Sequence, residues 1–127
     1  MGAVIFFSRN DAIDKIEDKF KSTYVNGSYW DAFGDLLDDV FLPNHSGLHE
    51  IIKSEEGEYL KFYSFIELNK ADFNRAVKLI RDYIAKQQNL TEWQKMAKVV
   101  WEDIAEHYII QDARYEVNPE YNNSQSN

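Results

Sequence analysis

The chain contains no cysteine. A disulfide framework and thiolate chemistry are therefore both excluded, which suits a reducing compartment. It is also short of base. Fourteen Lys and Arg face 22 Asp and Glu, a formal net charge of −8 over 127 residues. Phosphate binding relies on Lys and Arg to displace counterions, so this balance argues against direct contact with nucleic acid and for either a basic protein partner or plain solubility. No window approaches the ~18 consecutive apolar residues of a membrane span. The opening M-G-A-V-I-F-F-S-R-N-D has a five-residue apolar run and no basic stretch before it, so it does not read as a signal peptide. No P-loop, G-x-G-x-x-G or G-x-S-x-G occurs, and no Ser or Thr stands in a motif that would mark it as an activated nucleophile. These absences point to a cytoplasmic binding protein rather than an enzyme, with no cofactor.

What is present suffices for one folded domain. Apolar residues make up 44% and aromatics 15%, enough to bury a core at this length. Residues 1–117 read as a single globular unit and the polar, aperiodic residues 118–127 as a tail. The fold class expected is α/β (α+β): a small sheet of two to four strands packed by about four helices.

The most informative stretch is Y-V-N-G-S-Y-W-D-A-F-G-D-L-L-D-D-V-F-L, residues 24–42. A helix starting near Ser28 turns about 100° per residue, which places Asp35 about 40° and Asp38 about −20° from Asp31. The three carboxylates form one stripe. Trp30, Phe33, Leu36, Leu37, Val40 and Phe41 fall mostly opposite, so the helix has an apolar back and an acidic front. From Asp31 to Glu58 there are eight acids and one base, Lys53, so the front lacks compensation along the chain. Carboxylates at i, i+4 repel one another. Such a face is either simply solvated or built for a basic partner.

Around this helix, residues 3–7 (A-V-I-F-F) read as a buried strand. Ser8 or Asn10 would cap a helix over residues 11–22, with Ile13, Ile16, Phe20 and Tyr24 on its apolar face, broken by Asn26-Gly27. Residues 43–47 read as a loop, 48–54 as either helix or strand, and 55–58 as a turn. Residues 59–68 (Y-L-K-F-Y-S-F-I-E-L) read as the clearest strand, apolar on both faces and therefore central. Asn69 would cap a helix to about Gln87, with Phe73, Ala76, Val77, Ile80 and Ile84 inward. Thr91 and Gln94 form a capping box for a last helix to about His107, with Trp93, Met96, Ala97, Val100, Trp101, Ile104 and Tyr108 on its apolar side. Residues 108–110 could open a closing strand. His45, His49 and Glu50 are half of a zinc-site spacing, but the order is not H-E-x-x-H and Pro43 and Gly47 flank it, so they read as loop residues with no metal.

The first third of the chain resembles the barstar family of ribonuclease inhibitors. That family carries G-x-N-L-D-A-L-W-D-x-L after a β–α unit. Gly27, Asp31, Ala32, Asp35 and Leu37 match it, with Trp30 and Phe33 as apolar equivalents of its leucines. Gly34 departs, standing where the motif has Trp, and Val25 and Asn26 stand where aromatics usually precede the glycine. The match covers about residues 3–41. More loosely, the small, acidic, cysteine-free chain is similar in style to the immunity proteins of contact-dependent growth inhibition systems.

The resemblance implies a toxin immunity protein that occludes the basic active site of a cognate nuclease toxin domain, most simply a ribonuclease, in a 1:1 heterocomplex. No membrane or direct nucleic-acid contact is implied. Asp31 and Asp35 would be the first contacts and Asp38 and Asp39 the next, with Tyr24, Tyr29 and Tyr59 as aromatic anchors. The alternatives are an acidic DNA-mimic or regulatory adaptor with carboxylates spread over several elements, a small enzyme with a deep titratable pocket, or a binding face elsewhere, around Trp93 or Trp101.

Overall fold

A computed structural model of the protein describes residues 3–9 and 20–117. It is an α+β domain whose three-stranded mixed sheet has the order β2-β1-β3. β1 (Ala3–Arg9) is the apolar run expected to be a buried strand, and it is the central one. Its alternate residues Ala3, Ile5 and Phe7 are buried toward the helices. β2 (Phe20–Val25) pairs with it antiparallel, Ala3 opposite Val25, with a bulge between Phe6 and Ser8.

β2 corrects part of the helix expected over residues 11–22. Residues 20–22 are strand, and Tyr24 lies on a strand rather than on a helix face. Residues 10–19 lie outside the described part. The 20/24 spacing that reads as helical is overridden by a β-prone Thr-Tyr-Val run that pairs with β1. Asn26 does not break a helix. It starts one, its side chain accepting a hydrogen bond from the Ser28 amide at 2.9 Å.

α1 (Gly27–Phe41) follows, one residue away from the expected bounds at each end. Its back is as the periodicity requires: Trp30, Ala32, Phe33, Leu36, Leu37 and Phe41 are buried. The ambiguous stretch is a helix, α2 (Ser46–Ile52). The expected turn at 55–58 is also helical, as α3 (Glu55–Leu60). Ser54 caps it by accepting from the Gly57 amide at 3.0 Å, and three glutamates sit in its first turn, where the helix dipole favours them. α3 ends at Lys61, whose φ of 64° is left-handed. It lies so close to the strand that a Cβ on Gly57 would strike the Phe62 carbonyl oxygen.

The long central strand expected over residues 59–68 is therefore only β3 (Phe62–Ser64), at the sheet edge and parallel to β1. Beyond Ser64 the carbonyls go elsewhere. Arg114, 7% exposed, donates to the oxygens of Phe65, Ile66 and Leu68 at 2.8, 3.3 and 2.7 Å. Asp112, 6% exposed, holds that guanidinium through bonds of 2.9 and 2.8 Å. A buried fork of donors thus replaces a neighbouring strand.

α4 (Lys70–Lys86) begins at Asn69, which accepts from the Asp72 amide at 2.8 Å, and buries the five residues expected. α5 (Glu92–Val99) opens with the expected capping box between Thr91 and Gln94. It then runs without a break through a π-helical segment, Val100–Ala105, into α6 (Glu106–Ile109). The closing strand expected at 108–110 is thus helix end and turn. Phe7 stacks on Tyr108 at 5.4 Å, and Phe33 on Trp101 at 6.4 Å, tying sheet, α1 and the π segment into one core. Among the described residues no helix is long and apolar enough to cross a membrane.

Replacing Arg114 by Ala removes the guanidinium that pairs with the buried Asp112 and donates to three carbonyls. Loss of one partner of a buried pair costs about 3–5 kcal/mol. Urea unfolding of R114A should show a loss of that size. A loss below about 1 kcal/mol, the scale of an exposed pair, would mean that the segment after β3 does not depend on Arg114.

Candidate acidic binding face

The site is built on α1. Its buried back fixes the helix, so the front side chains are presented on a rigid element. Asp31 and Asp35 are exposed, and Asp31 has no hydrogen-bond or ion-pair partner among the described residues. Asp35 accepts from the Trp93 indole at 2.7 Å, which brings the start of α5 to the edge of the same face.

Asp38 belongs to the stripe by angle but not by environment. It is an acceptor for Lys53 Nζ at 2.9 and 3.0 Å and lies 2.7 Å from His49 Nε2. Its side chain is 31% exposed and that of Lys53 only 13%. The lack of compensation read along the chain is corrected here. α2 folds back over α1 and delivers both groups to Asp38. His49, on α2, is thereby a partner of the Asp38 carboxylate on α1 and not a loop residue. His45 is the residue before α2, as the loop reading has it. Asp39 is exposed and accepts from the Tyr83 hydroxyl at 3.2 Å. Among the described residues no group of three or more His, Asp or Glu could hold a metal ion.

Beside Asp31 and Asp35 the surface is notched, with a volume of about 320 Å³. Its floor is Trp30 stacked on Tyr63, ring centroids 4.2 Å apart and planes 2° from parallel. Glu58 closes the far rim and Lys61 stands 5.5 Å above the Trp30 ring. Glu58 comes from α3, the helix read as a turn, so its approach to the stripe has no signal in the sequence. Gly34 is the other residue that sequence reasoning left unexplained. A Cβ there would fall on the Tyr63 hydroxyl and 2.9 Å from its Cζ. Where the barstar motif places a Trp on the helix, this chain leaves a gap that an aromatic from β3 fills.

The tyrosine registers the field of the face. Burial first, then Asp31, Asp38, Asp35 and Glu58, push the Tyr63 hydroxyl well above its ordinary value of 10.0. Four carboxylates from two helices therefore act on the same hydroxyl. The Tyr83 hydroxyl is raised likewise, by burial and then by Asp39.

The expected aromatics are placed unevenly. Tyr29 is partly exposed in the first turn of α1. Tyr24 is 78% exposed on β2, and Tyr59 is 86% exposed on α3 next to Glu58, with Leu60 also exposed. Of the two tryptophans weighed as another face, Trp93 borders this one and Trp101 is in the core. No family model matches this chain, and neither a characterised protein nor a solved structure matches it.

Two outcomes test this geometry. Gly34→Ala would ordinarily stabilise a helix interior by up to about 1 kcal/mol. Here it should destabilise by about 1–3 kcal/mol in urea unfolding, as overpacking does; a more stable variant would show that Tyr63 does not lie against α1. The second concerns alkali. The folded hydroxyl of Tyr63 holds its proton above pH 10, where the unfolded one releases it, so its contribution is complete below pH 10 and is lost as pH rises. Stability of the wild type relative to Tyr63→Phe should fall above pH 10 by at most about 1.4 kcal/mol per pH unit. Parallel curves would refute the shift.

Proposed function

We propose that this protein is a cytoplasmic toxin immunity protein of bacterial type. It binds a cognate nuclease toxin, in the simplest case a ribonuclease, as a 1:1 complex and covers the toxin's basic active site with α1. The observation that carries this reading is the pair Asp31 and Asp35, exposed on a helix whose back is buried and gathered with Glu58 around one notch. A nuclease site must be basic to hold phosphate, and a protein occupying it must offer carboxylates at comparable spacing. Complementary charge also speeds the encounter and makes it sensitive to salt. The partial motif supplies the same two aspartates.

The face refines which residues take part. Asp31, Asp35 and Glu58 are the contacts, and Asp39 is peripheral. Asp38 is already neutralised by Lys53 and His49 and positions α2 against α1. Tyr59 and Leu60, large and exposed beside Glu58, are the apolar anchors that a docking surface needs around its charges. The rival reading, a DNA-mimic or regulatory adaptor, requires carboxylates strung at phosphate-like intervals over several elements. Their concentration around a single notch favours occlusion of one basic site.

The test takes the C-terminal product of the gene immediately upstream of this chain's own as the candidate toxin. Its association with the protein should be fast at low salt and should slow by about tenfold or more as salt is raised. D31A and D35A should each slow it, while Lys98→Ala, remote from the face, should not. Tight binding that ignores salt and both substitutions would remove α1 from the interface. No binding at all would remove the immunity reading.

A further inference from the structure

Two internal sites show how this domain seats an arginine. The guanidinium carbon of Arg114 lies 4.0 Å from the centre of the Phe73 ring, and the same side chain donates to both oxygens of Asp112. Arg81 lies 5.2 Å over the Tyr115 ring and donates to both oxygens of Glu106, at 2.8 and 2.6 Å. Each site has the same three parts: an aromatic ring, a carboxylate beside it, and a planar cation that lies on the one and bonds the other. The chemistry is general. A guanidinium is flat, weakly hydrated and carries its donors in its own plane, so it stacks on a ring and still reaches a carboxylate sideways.

A third ring and carboxylate stand together at the edge of the acidic face, without the cation. Trp93, the second residue of α5, donates its indole N–H to Asp35 Oδ2 at 2.7 Å. The Thr91–Gln94 box pins the start of α5, and the buried back of α1 pins Asp35, so the pair is held from both sides. Trp93 is 41% exposed, and with its N–H spent on Asp35 the side-chain surface left open is ring. Asp35 is exposed and, among the described residues, has no other hydrogen bond and no ion pair.

The kind of donor decides what Asp35 can still do. Asp38 receives a charged one, Lys53, which cancels its charge. The indole is neutral. It fixes the direction of the Asp35 carboxylate and engages one oxygen, but it brings no positive charge, so the group still attracts a cation. An exposed ring beside an exposed, oriented carboxylate is the arrangement of the two internal sites with the arginine left out.

We propose that the Trp93–Asp35 pair is the seat for one arginine of the basic partner, its guanidinium lying on the indole and donating to Asp35 Oδ1. The inference rests on the reading of this face as the surface for a basic protein, and it names the group that the partner brings there. Trp93 is then a contact in its own right and the positioning residue for Asp35. Lysine is the poorer guest, because its ammonium is a strongly hydrated point charge with no plane to lay on the ring.

The probes are tetra-arginine amide and tetra-lysine amide, which carry equal charge. Each is titrated at low salt into the full-length protein and followed by NMR through the Trp93 indole N–H and the Asp35 backbone amide. Tetra-arginine should move both signals saturably and bind about threefold more tightly than tetra-lysine, the worth of an exposed cation–aromatic contact. Trp93→Leu, read on the Asp35 amide, should abolish the preference while both peptides still bind through charge. Trp93→Phe, with a ring but no N–H, should restore part of it. Asp35→Asn should weaken tetra-arginine more than tetra-lysine, and it decides the matter should Trp93→Leu fail to fold. Signals that do not saturate, equal affinities in the wild type, or a preference that survives Trp93→Leu would overturn the proposal. The two readings fail separately. A candidate toxin that ignores this protein would remove the immunity reading and leave the arginine preference, and the seat with it, in place. A toxin bound as tightly by Trp93→Leu as by the wild type would remove the seat and leave the immunity reading intact.

Discussion

Tyr63 lies against α1 at a point where the helix has no side chain, and the acidic face is arranged around that approach. The phenol fills the space over Gly34 and stacks on Trp30 one helical turn away. Its contacts lock the short edge strand β3 to the helix, which sets α3 beside the front of α1 and brings Glu58 toward Asp31 and Asp35. A larger residue at position 34 would push β3 away and open the notch. The same packing explains why so short a strand persists. β3 is held by β1 on one side and by an aromatic contact with the helix, not by ladder bonds alone.

A second constraint operates at the other end of β3. The chain leaves the sheet after Ser64 and needs new partners for its carbonyls. They come from Arg114, fifty residues later in the sequence in round terms, itself fixed by Asp112 and by the face of Phe73, 4.0 Å from its guanidinium carbon. This is a buried ion pair with nearly all its donors used, the arrangement in which desolvation is best repaid. It also anchors the end of the described chain to α4, where Asn74 bonds the Arg114 carbonyl and the Glu116 amide.

These two constraints divide the acidic stripe. Along the sequence, Asp31, Asp35 and Asp38 are equivalent by angle. In space α2 packs on the same flank and spends Lys53 and His49 on Asp38, while α5 reaches Asp35 through Trp93. Lys53 also reaches Glu58 on α3 at 4.0 Å, so what remains uncompensated is displaced toward Asp31 in the N-terminal half of α1. A face of this kind is a smaller target than the whole stripe, but it is rigid and is flanked by exposed apolar side chains.

The sequence by itself determined the elements whose causes are local. Asn69 and the Thr91–Gln94 box each announce a helix start through a side-chain bond spanning three residues, and both hold; Asn26, read as a breaker, caps α1 in the same way. The apolar back of α1 and the inward face of α4 follow from periodicity, and β1 as a buried strand from its unbroken run of β-prone apolar residues. Tertiary structure decided the rest, because the deciding partners are distant. Phe20–Val25 is strand through pairing with β1. The expected strand over 59–68 shrinks to three residues because a capped helix claims its beginning and Arg114 its end. Asp38 is compensated because Lys53 and His49 arrive from another helix, and Glu58 comes to the notch because α3 abuts β3. No pattern within one segment carries the charge or the carbonyl that another segment will bring to it.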